Sequence, residues 1–380
     1  MPGPLEGLIV ADLSRVLAGP YCTMLLADLG ATVIKVERSD TGDDTRGWGP
    51  PFADDGISTY FHSVNRNKES LAADLDDPVD RERVQRLVDR ADVVVENFKA
   101  GSLVRFDLDY ATVATRNPRV IYCSISGFGA GAGATLPGYD LLVQAASGLM
   151  SITGGEEPTK VGVAVVDVVT GLHACVAILA ALHERDSSGL GQHVEVNLLG
   201  SALSALVNQA SSVLGAGITP GLMGNAHPSI APYEVYPTGD RPIVIAVGND
   251  QQFAVLCAVL EHPAWAADPR FRTNTDRVAH RDELREGITG VLQHAPADRW
   301  NDLLTEAGIP CGPINDIAQG LELARRLGLT PQPTALDASD PVAHVSPPFH
   351  LSRSPASYRR RAPHLGADTD SVVERFGLDA

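Results

Sequence analysis

The sequence predicts an α/β protein built on a parallel sheet, followed by a smaller α+β domain. Three observations carry this. Short apolar or β-branched runs alternate with helical patterns through the first half of the chain, a long apolar helix follows, and a glycine-rich linker then leads to two strands and several amphipathic helices. With 380 residues, 44% hydrophobic and 20% charged, the chain is globular in composition and long enough for about two domains.

The elements follow in order. Leu8 to Leu13 is a short apolar strand, Pro20 opens a helix through Leu29 that Gly30 stops, and Ala31 to Glu37 is β-branched, so the opening reads as a βαβ unit. The pattern recurs with a charged helix from Asp80 to Arg90 and strands from Asp92 to Glu96 and Arg119 to Ser126. Ala164 to Arg185 reads as a buried central helix, and His193 to Leu199 as another strand. A linker is expected at Gly215 to Gly221. Beyond it stand strands at Tyr233 to Tyr236 and Pro242 to Val247, and helices at Asp250 to Leu260, Arg281 to Gln293 and Ala297 to Ala307. The tail after about Gln332, rich in Pro, Ser and Arg, has no strong periodicity and is expected to wrap a surface.

The formal charge of −17 argues against a general nucleic-acid binder, because duplex binding depends on neutralising phosphates. No apolar run is expected to reach the roughly 20 residues of a membrane span, and the N-terminus lacks the basic start of a secretion signal, so no membrane association and a cytoplasmic location are expected. Cys22, Cys123, Cys175, Cys257 and Cys311 are scattered and read as buried thiols, not a zinc site or a disulfide framework. The only lysines are Lys35, Lys68, Lys99 and Lys160.

Ligands on open parallel sheets gather beyond the carboxyl ends of the strands. Glu37-Arg38, Glu96 to Lys99 and Ser126 to Gly129 occupy those ends. The glycines from Gly127 to Gly133 do not match the dinucleotide fingerprint and read as a flexible loop. Asp167 is the anomaly, a lone carboxylate at the head of the long apolar helix. It suits the helix N-terminus electrostatically, and a carboxylate kept ionised there can also act as a nucleophile without a general base; the two readings are compatible.

Several segments together resemble the class III CoA-transferases, the CaiB/BaiF type, a family that also contains α-methylacyl-CoA racemases. They are Leu13 to Pro20, Leu26 to Glu37, Asn65-Arg66-Asn67-Lys68, Glu96-Asn97-Phe98, Pro137-Gly138-Tyr139-Asp140, Asp167, Gly224 to Pro228, Val247 to Phe253 and Gly308 to Asp316. The resemblance implies a large Rossmann-like CoA-binding domain over 1–215 and 332–380, a small α+β domain over 222–331, and an interlocked homodimer. It implies Asp167 as the catalytic nucleophile. Val16, Ala18, Arg38, Val64, Asn65, Arg66, Asn67, Asn97, Phe98, Lys99 and Arg105 fall at positions that contact CoA, with Gly138, Tyr139 and Asp140 beside them. Arg38, Lys99 and Arg105 also suit CoA phosphates by charge.

The expected activity is transfer of CoA from an acyl-CoA to a small carboxylic acid, with CoA as substrate, no tightly bound cofactor and no metal. Candidate oxyanion donors are backbone N–H groups at the start of the Asp167 helix or in the Gly138 loop. Two departures bear on specificity. Gly224-Asn225-Ala226-His227-Pro228 lacks the glycine run of formyl-CoA transferase, which disfavours formyl and oxalyl substrates, and Tyr139 replaces the histidine before the aspartate in the racemases. An α-methylacyl-CoA racemase is the nearest alternative; a non-catalytic CoA-binding protein or a nicotinamide enzyme is more distant.

Overall fold

A computed structural model describes residues 3–336 and 344–379. The chain forms two compact units: the first runs to Leu149, resumes over Lys160–Thr219 and returns from Thr330, and the second takes Met150–Thr159 and Pro220–Leu329. The sequence division left the 150–159 segment in the first unit.

In the first unit, β1 (Ile9–Asp12), α1 (Ala18–Asp28) and β2 (Thr32–Glu37) make the opening βαβ. Next come α2 (Thr59–Asn65), β3 (Lys68–Ala72), α3 (Pro78–Arg90), β4 (Val93–Glu96), α4 (Tyr110–Arg116), β5 (Ile121–Ser126), α5 (Asp140–Ala146) and α6 (Leu149–Ile152), whose last residues belong to the second unit. Helix α7 (Val165–Ser188), β6 (Gln192–Asn197), α8 (Leu198–Ala205) and α9 (Val207–Ala216) follow. All six strands are parallel in the order β3-β2-β1-β4-β5-β6, the doubly wound order, which puts the topological switch point between β1 and β4. Alternate strand residues serve opposite faces. Val10, Val33, Val93 and Ile121 pack with α1 and α7, whereas Ala11, Ile34, Val94 and Tyr122 pack with α3 and α4.

Strand β3 escaped the sequence reading because Lys68 and Ser70 are polar yet fully buried, so no apolar run marks it. The tail is also corrected. Asn67, held at φ +62°, accepts the N–H groups of Arg359 (2.7 Å) and Arg360 (3.0 Å), and the returning chain ends in α15 (Thr369–Phe376), whose Val372 is wholly buried under β3.

Helix α7 is long and apolar enough to cross a membrane, which corrects the expectation that no such run exists. One side, including Val166, Ala174, Ile178 and Ala181, belongs to the core against the sheet. It is not buried all round, however, since Leu172 and Val176 are 42% and 66% exposed. Gly171 sets its approach to α1: a Cβ there would lie 2.6 Å from the Ala18 carbonyl oxygen.

The second unit holds β7 (Tyr233–Tyr236), β8 (Ile243–Ala246), α10 (Asp250–Val259), α11 (Asn274–Ala279), α12 (Arg281–Leu292), α13 (Ala297–Glu306), β9 (Cys311–Pro313) and α14 (Ile317–Arg326). Its three strands are antiparallel in the order β7-β8-β9, and Phe253, Leu256, Ile288 and Leu304 close its core. Strand β9 is a three-residue segment containing glycine and proline, which carries no sequence signal for a strand.

Candidate active site

The loop leaving β1 is fixed residue by residue. Asp12, fully buried, accepts from the Ser14 N–H and hydroxyl, from Thr23 and from the Lys68 ammonium at 3.0 Å. Lys35 donates to the Ser14 carbonyl (3.0 Å) and pairs with Asp43 (2.8 Å). Across the switch point, the Asn97 side chain accepts from the Arg15 N–H (2.9 Å) and donates to the Arg15 carbonyl (2.7 Å). Asp43 in turn accepts from the Val16 N–H at 3.3 Å, and Val16 sits at φ +71°. A β-branched residue in the left-handed region is strained by about 1–3 kcal/mol and persists only where its surroundings fix it. Burial raises the Asp43 carboxyl, but Lys35 and Thr45 outweigh it and bring it down to about 2.

Gly127 and Gly138 cross backbone to backbone, since a Cβ on Gly138 would lie 2.4 Å from the Gly127 Cα. The expected flexible loop is thus anchored at its base, and the crossing leads directly to Tyr139 and Asp140 at the start of α5. Asp140 Oδ1 accepts the N–H groups of Val166 (2.8 Å) and Asp167 (3.4 Å), while Gln144 donates to its Oδ2 at 2.6 Å. The Val165 and Val168 N–H groups bond to Val163 and Ala164 carbonyls. The first turn of α7 therefore has no donor to spare, so it does not supply the oxyanion donors considered above.

Asp167 is half-buried without such donors, and its carboxyl is raised to about 7 by burial and secondarily by the charge of Asp140. This corrects the expectation that the helix start keeps it ionised: Asp140 takes the donors on which that stabilisation depends.

Three cavities meet along this surface. One of about 470 Å³ is lined by Arg15, Arg38, Phe98 and Arg105. A second, about 430 Å³, shares Arg15 and Phe98 with it and continues past Val16, Ala18, Asn97, Lys99, Gly138 and Tyr139 to Asp167. A third, about 810 Å³, shares Val16, Leu17, Tyr139 and Asp167 with the second and extends along Tyr21, Trp48, Tyr60, Val64 and Lys160. Asp167 thus lines the two cavities on either side of it in this series.

The structure separates the candidate residues. Arg38 pairs with Asp44 at 2.7 Å, and Arg105 pairs with Asp76 at 3.2 Å while stacking on Phe106. Lys99 is exposed, with no ion pair among the described residues. By contrast, the Asn65, Arg66 and Asn67 side chains are buried in structural bonds: Asn65 with Phe61 and Lys68, Arg66 bidentate to Asp28, and Asn67 to Asp28 and the returning tail. They shape the wall that carries Val64 more than they present polar atoms to it.

Sequence reasoning missed Tyr60, Gln144 and Lys160 as members of this site. Burial and then the charges of Asp167, Asp140 and Asp43 push the Tyr60 phenol up to about 12, so it remains a proton donor. Tyr60 and Gln144 lie on short helices with no distinguishing motif; Lys160 carried a signal only as one of four lysines.

A doubly wound domain whose switch-point groove ends on a perturbed carboxylate is built to hold a ligand against a reactive group. Residues 5–369 match the model of CoA-transferase family III. The succinate–glutarate CoA-transferase of Agrobacterium fabrum is 45% identical, covering 97% of this chain and 95% of that protein. The acetyl-CoA:oxalate CoA-transferase of Acetobacter aceti is 42% identical over 84% of this chain and 83% of that protein. A crystal structure of a CaiB/BaiF family protein from Brucella suis superimposes with a TM-score of 0.88 at 40% identity, covering 99% of this chain and 100% of that one. The chain belongs to CoA-transferase family III and is an enzyme of that class.

Proposed function

We propose that the protein moves CoA from an acyl-CoA to a small carboxylic acid, with Asp167 as the nucleophile. The observation that carries this reading is the position of Asp167, shared by the Arg38–Lys99 run of cavities and the apolar cavity beyond it. Arg38, Lys99 and Arg105 hold the phosphates of CoA, and Val16, Ala18, Asn97, Phe98, Gly138 and Tyr139 border its pantetheine arm. Ionised Asp167 attacks the thioester carbonyl, the C–S bond breaks, and the CoA thiolate leaves an aspartyl mixed anhydride. The thiolate then attacks the aspartyl carbonyl, releasing the donor acid and forming an aspartyl-CoA thioester. The acceptor carboxylate attacks that thioester to form a second anhydride, and the thiolate takes the new acyl group, restoring Asp167.

The relatives named for succinate and glutarate make dicarboxylic acids the first acceptors to test. A homodimer is the proposed assembly, supported by Leu172, Val176, Leu203, Val207, Val213 and Leu214, all exposed on α7 to α9. The test is Asp167→Ala and Asp167→Asn with acyl-CoA and candidate acids. Both variants lose transfer by orders of magnitude while folding, and wild type incubated with acyl-CoA gains a CoA adduct on Asp167 by mass spectrometry. Full turnover in either variant removes Asp167 from the reaction.

A further inference from the structure

The third cavity poses a question that the transfer chemistry does not answer. Its walls are largely hydrocarbon, from Leu17, Tyr21, Met24 and Val168. A charged group entering such a space needs a partner already there, because burying an unpaired carboxylate is costly. Arg66 reaches the wall with its guanidinium committed to Asp28 at 2.9 and 2.6 Å. His344 packs edge-on against Tyr358. Lys160 differs: it is a lining cation with no carboxylate partner among the described residues, and its ammonium touches only the carbonyls of Val161 (3.3 Å) and Gly162 (3.4 Å).

Lys160 is exposed, and the backbone beside it is tied to the helix that carries Asp167. Gln144, fully buried, accepts the Val161 N–H through Oε1 at 2.9 Å and donates through Nε2 to Asp140 at 2.6 Å. Asp140 caps α7 through the Val166 N–H at 2.8 Å. One glutamine thus fastens the residue after Lys160 and, through Asp140, the helix start that carries Asp167. Such buried support is what a specificity contact needs in order to discriminate by geometry.

We propose that Lys160 receives the second carboxylate of a dicarboxylic acyl group whose first carboxyl is exchanged at Asp167, so that it selects diacids over monoacids of equal length. The inference rests on the CoA-transfer reading. The chain between the two carboxyls packs against the hydrocarbon walls, and the far carboxylate exchanges water for the Lys160 ammonium and its charge-assisted hydrogen bonds.

The experiment compares kcat/KM for glutarate and for valerate, with one acyl-CoA donor, in wild type, Lys160→Gln and Lys160→Arg. The glutarate-to-valerate ratio should fall about tenfold or more in Lys160→Gln, the scale of a lost hydrogen bond to a charged group, and recover largely in Lys160→Arg. An unchanged ratio in Lys160→Gln, or an equal loss for both acids, overturns the proposal while wild-type transfer upholds the reading beneath it. Wild type that passes CoA to neither acid also overturns the diacid assignment, while the transfer reading stands or falls separately on the CoA adduct at Asp167.

Discussion

Asp140 caps the helix that carries Asp167, accepting the N–H groups of Val166 at 2.8 Å and of Asp167 itself at 3.4 Å. The donors that would have stabilised one carboxylate are spent on its neighbour. Asp140 is well bonded, with Gln144 completing its shell, whereas Asp167 is left with burial and a nearby negative charge.

On the proposed mechanism the ionised carboxylate of Asp167 is the nucleophile, so kcat/KM should rise with pH through about 7, where that carboxyl titrates. Asp140→Asn keeps an oxygen to cap α7 but removes the charge, so the midpoint should move to lower pH. The movement is partial, since burial is the larger cause. A pH profile at constant ionic strength checks this, and an unmoved midpoint would show that the Asp140 charge is not felt at Asp167.

The same shift has a stability consequence of opposite sign. With its folded pKa raised to about 7, Asp167 binds its proton more tightly folded than unfolded, so wild type loses stability as pH climbs from about 4 through 7. Asp167→Asn removes that loss. Its melting-temperature advantage over wild type should be larger at about pH 8 than at about pH 5; the reverse order would contradict the assigned shift.

Gly171→Ala should lower kcat with a smaller effect on folding. The added methyl would sit 2.6 Å from the Ala18 carbonyl, so α7 must withdraw from α1, and Asp167 moves with it relative to the Val16 loop. Displacements of about 1 Å can cost about a hundredfold in rate. Steady-state kinetics alongside thermal melting separates the two effects, and unchanged kcat would mean that the close packing does not align the site.

Lys35→Ala should destabilise the fold by about 3–5 kcal/mol, because it strands the Asp43 carboxylate, whose side chain is 0% exposed, without its partner. Urea unfolding at neutral pH measures it. A loss below about 1 kcal/mol would mean that the pair contributes little to holding the Val16 loop.

Racemisation should be negligible. Exchange at the α-carbon needs an effective base on each face, and Tyr139 offers only a 63% exposed phenol, a poor proton acceptor. Incubating 2-methylacyl-CoA with the enzyme in heavy water should leave the α-position undeuterated while CoA transfer proceeds. Rapid deuterium uptake surviving repurification would favour the racemase alternative.

The sequence by itself determined the alternation of β1, α1, β2, α3, β4 and β5, because each strand buried on both faces reads as an apolar run and each helix buries one stripe. It also marked Asp167, a charge that stands out in an apolar helix. Only the tertiary structure decided what surrounds that charge. Its pKa depends on Asp140, 27 residues earlier, and on burial that no local pattern encodes. Strand β3 and the turn through Asn67 stayed hidden because their polar residues are buried by long-range partners, among them Asp12, Asp28 and the returning tail. Lys160 stood out only once folding set it on the wall of the cavity that Asp167 also lines, since which side chains share a cavity is a property of packing, not of spacing along the chain.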